Sequence, residues 1–153
     1  MSEAARPSDT TTPSRPGSRG VRVVGVVVLV VGAIFAVAGI VTYVMVQQTL
    51  AAEQITVSDD ADMFAGQDVA GPFTAYAQAD VIAKHAEEMA EGKTYAELDQ
   101  DDPVRTSVMD ASFLRASLYT SVVAFGVAAL ATVLGLILVL VGWALTRVAK
   151  PAV

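Results

Sequence analysis

The sequence contains no cysteine, and this absence excludes disulfides, thiolate metal sites, cysteine nucleophiles and a lipoprotein anchor. It has a single histidine, His85, so one chain does not supply a metal site that needs two imidazole ligands. Basic residues are also scarce, with 10 Lys and Arg against 16 Asp and Glu, and the net charge is −6. We therefore expect no cofactor and no nucleic-acid partner.

Apolar residues make up 54% of the chain, and most of them lie in two blocks that contain no charged residue, 23–46 and 116–146. A helix over the first block is roughly 36 Å long, enough to cross a hydrocarbon layer of ~30 Å. The second block exceeds one membrane thickness, which predicts a tilted helix or one that emerges from the bilayer. The first block is also too long for the ~7–15 apolar residues of a signal peptide, which favours an uncleaved span.

The distribution of charge predicts the orientation of the two spans. The segment 47–115 holds 14 acidic and four basic residues, whereas arginine and lysine flank the blocks on their other sides. Because Lys and Arg are retained on the cytoplasmic side, we expect both termini in the cytoplasm and the acidic segment outside. Aromatic and basic side chains at the ends of the blocks are candidate membrane-interface anchors: Tyr43, Arg115, Tyr119 and Trp143.

These patterns predict an all-α membrane protein, a two-helix antiparallel transmembrane hairpin with a small helical extracytoplasmic segment. The predicted divisions are a disordered cytoplasmic tail at 1–21, spans at 22–46 and 116–146, an acidic helical segment at 47–115 and a cytoplasmic tail at 147–153. The helix of the second span is expected to begin near Pro103, which follows two aspartates. The expected location is the plasma membrane, as a multi-pass protein.

Within the acidic segment, three patterns predict helices. Ser58 precedes an acidic turn that Gly66 ends, Gly71-Pro72 opens a helix running to about Glu91, and Thr94 and Glu97 have the spacing of a capping box. Asp59, Asp60 and Asp62 are weak candidates for calcium binding, although acidic residues favour a first helical turn without any metal. His85 is a weak candidate metal ligand with Glu88 one turn on, or a histidine at the edge of an apolar face.

Small residues form a stripe on each span, which predicts how the spans pair. Because apolar lipid provides little hydrophobic drive between helices, close backbone approach through small side chains holds spans together. The paired positions have residue numbers with a constant sum, as antiparallel helices require, although the stripes could instead face another protomer. The predicted packing residues are Gly25, Gly32, Ala36 and Gly39 on the first span and Ala128, Ala131, Gly135 and Gly142 on the second.

Several stretches resemble a family of small two-span membrane proteins from actinobacteria that carry the description "aromatic ring-opening dioxygenase, LigA-like". The resemblance covers roughly 22–147 and implies two membrane spans around an external segment. The stretches are ITVSDD at 55–60, GPF at 71–73, AYAQA at 75–79, GKTYAEL at 92–98, ASFLRAS at 111–117 and SVVAFG at 121–126.

Three functional hypotheses follow from these features. The first is a non-enzymatic accessory or scaffold subunit of a cell-envelope complex, whose partners are the lipid bilayer and a membrane protein or a second copy of the chain. The second is an enzyme component, either of a ring-opening dioxygenase or with a metal site shared between protomers through two copies of His85. The third is a sensor of cations or envelope stress. Neither block contains an ionisable residue, which argues against a proton pump or coupled transporter.

Overall fold

The computed structural model describes residues 18–149, and in this part the chain is all-helical with three helices. Helix α1 comprises Ser18–Ala52, α2 comprises Pro72–Met89, and α3 comprises Arg105–Val148. By length and composition, α1 and α3 are long and apolar enough to cross a membrane. Residues 1–17 of the tail predicted at 1–21 lie outside the described residues. Residues 150–153 of the tail predicted at 147–153 also lie outside them.

Helices α1 and α3 extend beyond the charge-free blocks. Helix α1 begins at Ser18, inside the predicted tail. It continues past Val46, the end of the predicted span, to Ala52, because residues 47–52 lack Gly and Pro and bury Leu50. The helix α3 begins at Arg105, two residues after Pro103, and the Asp102 side chain accepts a hydrogen bond from the Val104 N–H at 3.0 Å.

Helices α1 and α3 contact each other through their backbones, in antiparallel order. A Cβ atom built on Gly32 would lie 2.7 Å from the carbonyl oxygen of Gly135, and one built on Gly25 would lie 3.0 Å from that of Gly142. At the third contact, a Cβ on Gly39 would lie 2.6 Å from the carbonyl oxygen of Ala128. Helices this close leave no room for a side chain at the contact.

The other predicted packing residues lie beside these contacts. Ala36 is buried, and its backbone nitrogen is next to the position that a Cβ of Gly135 would occupy. Ala131 is half-buried at the edge of the contact.

The outward sides of α1 and α3 carry large apolar side chains. Ile34 is 61% exposed and Leu140 is 65% exposed. The most apolar 18-residue window of α1 is only 22% buried, and that of α3 is only 17% buried. The core helix of a water-soluble domain is mostly buried, so these two helices have the opposite arrangement, with a narrow buried stripe of small residues and a wide apolar exterior.

The segment between α1 and α2 is not helical, contrary to the expectation for the acidic turn after Ser58. It folds back on itself at an isolated antiparallel bridge between Thr56 and Asp68. The Val57 N–H donates to the Gln67 carbonyl at 2.8 Å, and the Val69 N–H donates to the Ile55 carbonyl at 2.8 Å. These cross-loop bonds satisfy the backbone and bury both valines, which a helix over the same residues would not do.

The predicted short helix at Thr94 is a turn. The Glu97 carboxylate accepts hydrogen bonds from the N–H and the hydroxyl of Thr94, both at 2.8 Å, and these bonds lower the pKa of Glu97. No helix follows, because the Arg105 side chain donates to the carbonyls of Tyr95 and Leu98 and its guanidinium lies 4.2 Å from the centre of the Tyr95 ring. The capping contacts are present, and Arg105 binds the carbonyls that a helix would use.

A compact core joins α2 and the preceding loop to the ends of α1 and α3 nearest to them. The Phe125 side chain is 1% exposed, and its ring lies 4.8 Å from that of Tyr43 in an edge-to-face arrangement. The remaining buried members of this core come from all three helices and the loop: Leu50, Val57, Val69, Ala75, Ala77, Ala79 and Leu118. We call the loop 53–71 together with α2 the cap.

The close helix contact predicts opposite effects for two glycine substitutions on α3. In Gly135→Ala the new methyl would meet the Ala36 nitrogen and lie 2.6 Å from the Gly32 carbonyl oxygen, so α1 and α3 must separate. We expect the substitution to destabilise their packing by about 1–3 kcal/mol. Gly126→Ala is the matched control, since nothing lies within 4 Å of its Cβ position, and we expect a gain of up to ~1 kcal/mol in helix propensity.

The measurement starts from protein in mild detergent and determines the concentration of added SDS at which the two helices separate. Energy transfer between dyes on Gln48→Cys and Phe113→Cys reports the separation, and both positions are exposed in a chain without native cysteine. Equal midpoints for Gly135→Ala and Gly126→Ala would contradict the backbone contact.

Candidate functional site

The acidic loop of the cap lies along α2 and is held there by two side-chain pairs. The Lys84 Nζ donates to Asp62 Oδ2 at 2.8 Å, and His85 Nε2 lies 2.6 Å from Asp60 Oδ2. The helix brings Lys84 and His85 to the same loop because they are adjacent in sequence, and the aspartates they contact are two residues apart. The side chains of Lys84 and His85 are about half exposed to solvent, whereas those of Asp60 and Asp62 are 60% and 81% exposed.

These contacts shift the pKa of Asp60 and of Lys84. The hydrogen bond from His85 lowers the pKa of Asp60 below 3.8, and Lys84 adds a smaller effect in the same direction. The hydrogen bond to Asp62 raises the pKa of Lys84 above 10.5, with help from the charges of Asp62, Asp80 and Asp60. The Lys84 ammonium is therefore charged across the neutral range, and it holds the loop on α2 at Asp62.

The metal candidates predicted from the sequence are not brought together as a ligand set. Among residues 18–149, no three His, Asp or Glu side chains are grouped so that they could hold a metal ion. Asp60 and Asp62 contact His85 and Lys84 respectively, and Asp59 joins neither pair. His85 contacts Asp60 across the loop, and Glu88, its expected neighbour one turn on, makes no ion pair with it.

Gln78 is the one functional side chain of the cap that we did not predict from the sequence. It is 8% exposed, the only polar side chain among the buried residues of 18–149. Its Oε1 accepts a hydrogen bond from the backbone N–H of Ser58 at 2.9 Å, which ties the loop to α2. The signal is its position, three residues after Ala75 and four before Ile82, which places a polar side chain on the apolar face of the helix.

The predicted interface anchors lie in two different settings. Tyr43 packs on Phe125, and the ring of Tyr119 lies 5.8 Å from that of Tyr76 on α2, so both tyrosines contact protein and are only partly exposed. Arg115 is exposed near the cap. At the far end of α3, Trp143 is 52% exposed with the Arg147 guanidinium 4.7 Å from its ring centre.

No protein-family model, no curated protein and no solved structure matches the chain significantly. The resemblance to the actinobacterial two-span proteins therefore stays a prediction.

The two side-chain pairs predict a pH range for docking of the loop on α2. A lowered pKa of Asp60 contributes stability above its unfolded value of 3.8, and this contribution is lost as pH falls through the folded pKa. A raised pKa of Lys84 contributes below 10.5, and this contribution is lost as pH rises through the folded value. We expect the protection of residues 55–69 to weaken below the acid limit and above the alkaline limit.

Amide hydrogen exchange, corrected for its intrinsic pH dependence, measures this protection. Asp60→Asn removes the carboxylate and should reduce the loss of protection on the acid side without changing the alkaline limit. Unchanged protection of the wild-type chain below the acid limit and above the alkaline limit would contradict the assignment to these two pairs.

Proposed function

We propose that the chain is a two-span protein of the plasma membrane with both termini in the cytoplasm. In this proposal it acts as a non-enzymatic accessory or scaffold subunit of a cell-envelope complex. The observation that carries the proposal is the pairing of α1 and α3 at three backbone contacts, with large apolar side chains facing outward. Small residues inside and large apolar residues outside is the arrangement of helices that pack in lipid rather than in water.

Bilayer insertion accounts for the exposed apolar surface of both helices. The charge-free blocks 23–46 and 116–146 lie within α1 and α3, and no ionisable group would have to enter the hydrocarbon layer. The contact of Arg147 with Trp143 places a basic and an aromatic side chain at the end of α3 remote from the cap, where interface anchors belong. The basic Arg147 supports a cytoplasmic position for this end.

The acidic cap is the part of the chain that the proposal assigns to a partner outside the membrane. It is joined to the spans by the core around Phe125, so a protein bound to the cap would be held in a defined position relative to the bilayer. Phe73 and Tyr76 lie one turn apart on α2 and are 73% and 51% exposed. Exposed aromatic side chains grouped on one helix face are typical anchors of protein interfaces.

Reporter fusions test the membrane orientation. A reporter that is active only in the cytoplasm should work when fused after Val153, and one that is active only outside should work when inserted at Gly92. Gly92 lies in an exposed turn after α2, with a φ of 83°, so an insertion there leaves the helices intact. The positive-inside rule is the physical basis of the expectation, and the opposite result at both positions would contradict it.

Substitution of Phe73, one member of the aromatic pair, tests the scaffold role. Phe73→Ser should leave membrane abundance unchanged, since the side chain is mostly exposed, but reduce the recovery of the partner about tenfold or more, as for an interface anchor. The matched control is Met63→Ser, at a position that is 60% exposed on the acidic loop. The measurement is quantitative mass spectrometry of what purifies with each variant in mild detergent.

Two results would contradict the scaffold role. One is equal recovery of all associated proteins with Phe73→Ser, Met63→Ser and the wild-type chain. The other is stoichiometric iron in the purified protein that is lost in His85→Ala, which would favour the dioxygenase hypothesis instead.

A further inference from the structure

A cavity of about 790 Å³ lies under the cap, between the ends of α1 and α3 that are nearest to it. Its volume falls in the range of roughly 300–1,000 Å³ that is usual for sites of small-molecule ligands. On α1 it extends from Met45 to Leu50, with Glu53 just beyond the end of the helix, and on α3 it extends from Leu114 to Ala124. Ten residues of helix correspond to about 15 Å, close to the depth of half a hydrocarbon layer of ~30 Å.

The cavity has its one charged side chain at one end. Because α1 and α3 are antiparallel, Glu53 and Leu114 lie at its outer end, whereas Met45 and Ala124 lie at its inner end. The apolar block of α3 begins at residue 116, so in the proposed orientation the inner end lies within the bilayer and Glu53 lies at its surface. A charge at the surface and a cavity that continues into the bilayer match an amphiphile that is inserted in the outer leaflet.

The cavity wall carries hydroxyl groups and one charged group. The hydroxyls of Thr49, Thr120 and Ser121 each donate to a carbonyl of their own helix, at 2.9, 2.8 and 3.2 Å. Glu53 is the only charged residue in the wall. An ammonium group complements its carboxylate, whereas a purely anionic headgroup is repelled by it.

Gln78 supplies one hydrogen-bond donor to the same cavity. Its Oε1 is bonded to the Ser58 N–H, and no hydrogen bond within residues 18–149 uses its Nε2. Gln78 lines the cavity, and no fully buried side-chain nitrogen in this part of the chain lacks a partner, so its Nε2 is not fully buried. A buried amide with an unused donor at a cavity wall favours a ligand with an acceptor oxygen at that point.

We infer that the cavity binds one phospholipid with a primary-amine headgroup, of the phosphatidylethanolamine type. One acyl chain lies between α1 and α3, the ammonium group lies at Glu53, and Gln78 Nε2 donates to an ester carbonyl oxygen. The inference rests on the proposed membrane insertion, and it adds a lipid ligand that is specific in its headgroup.

Native mass spectrometry of the full chain in mild detergent tests the inference, with titration of dioleoylphosphatidylethanolamine against dioleoylphosphatidylglycerol. We expect one ethanolamine lipid per chain, bound about fivefold more tightly than the glycerol lipid. Glu53→Gln should remove this preference, because it keeps the side-chain shape and removes the charge. Ala124→Leu should weaken binding of the ethanolamine lipid about tenfold, because it fills the inner end of the cavity.

Two matched controls test whether the change in lipid binding is specific to the cavity. Glu88→Gln removes a carboxylate outside the cavity, and Ala38→Leu enlarges an exposed position of α1 away from it, so neither should change lipid binding. Equal binding of both lipids by the wild-type chain would overturn the inference. Unchanged binding in both Glu53→Gln and Ala124→Leu would also overturn it.

The reporter fusions separate failure of this inference from failure of the proposed function. Reporters that behave as expected, together with unselective lipid binding, would overturn the lipid site and leave the membrane hairpin intact. Reporters that show no membrane insertion would overturn both.

Discussion

The close approach of α1 and α3 is the constraint on which the rest of the structure depends. Three glycines on α1, Gly25, Gly32 and Gly39, are each seven residues apart, and the residues they meet on α3 have the same spacing. A repeat of seven keeps one stripe of each helix facing the other over its whole length. Because backbone atoms meet at these points, dispersion contacts can hold the pair without burial of large apolar side chains.

Beyond Gly39 the contact changes from backbone to side chain, and this change makes room for the cap. Tyr43 and Phe125 occupy the next part of the helix interface, where their rings pack edge to face. Residues of the loop and of α2 join this pair in one core, so the cap is attached where the small residues end. The cavity under the cap lies in the same region, where Gln78 and Ile82 of α2 face the ends of α1 and α3.

The charges of the cap are arranged so that its own basic groups attach the acidic loop. Lys84 and His85 contact Asp62 and Asp60, while Gln78 binds the Ser58 backbone from the buried side of the same helix. These contacts are local to the loop and α2. Glu87 and Glu88 remain exposed on α2, so the cap presents negative charge to its surroundings.

The sequence by itself determined the all-helical class, the two long apolar helices and the start of α2 at Pro72, because these depend on composition and on local periodicity. It also placed Asp60 and His85 among the candidate residues, but it did not predict that they contact each other. Only the tertiary structure decided that contact, since the two residues are 25 positions apart. Only the tertiary structure decided the contact of Gln78 with Ser58 and the cross-loop bridge at Thr56. In both places hydrogen bonds to distant residues override the local preference for a helical turn.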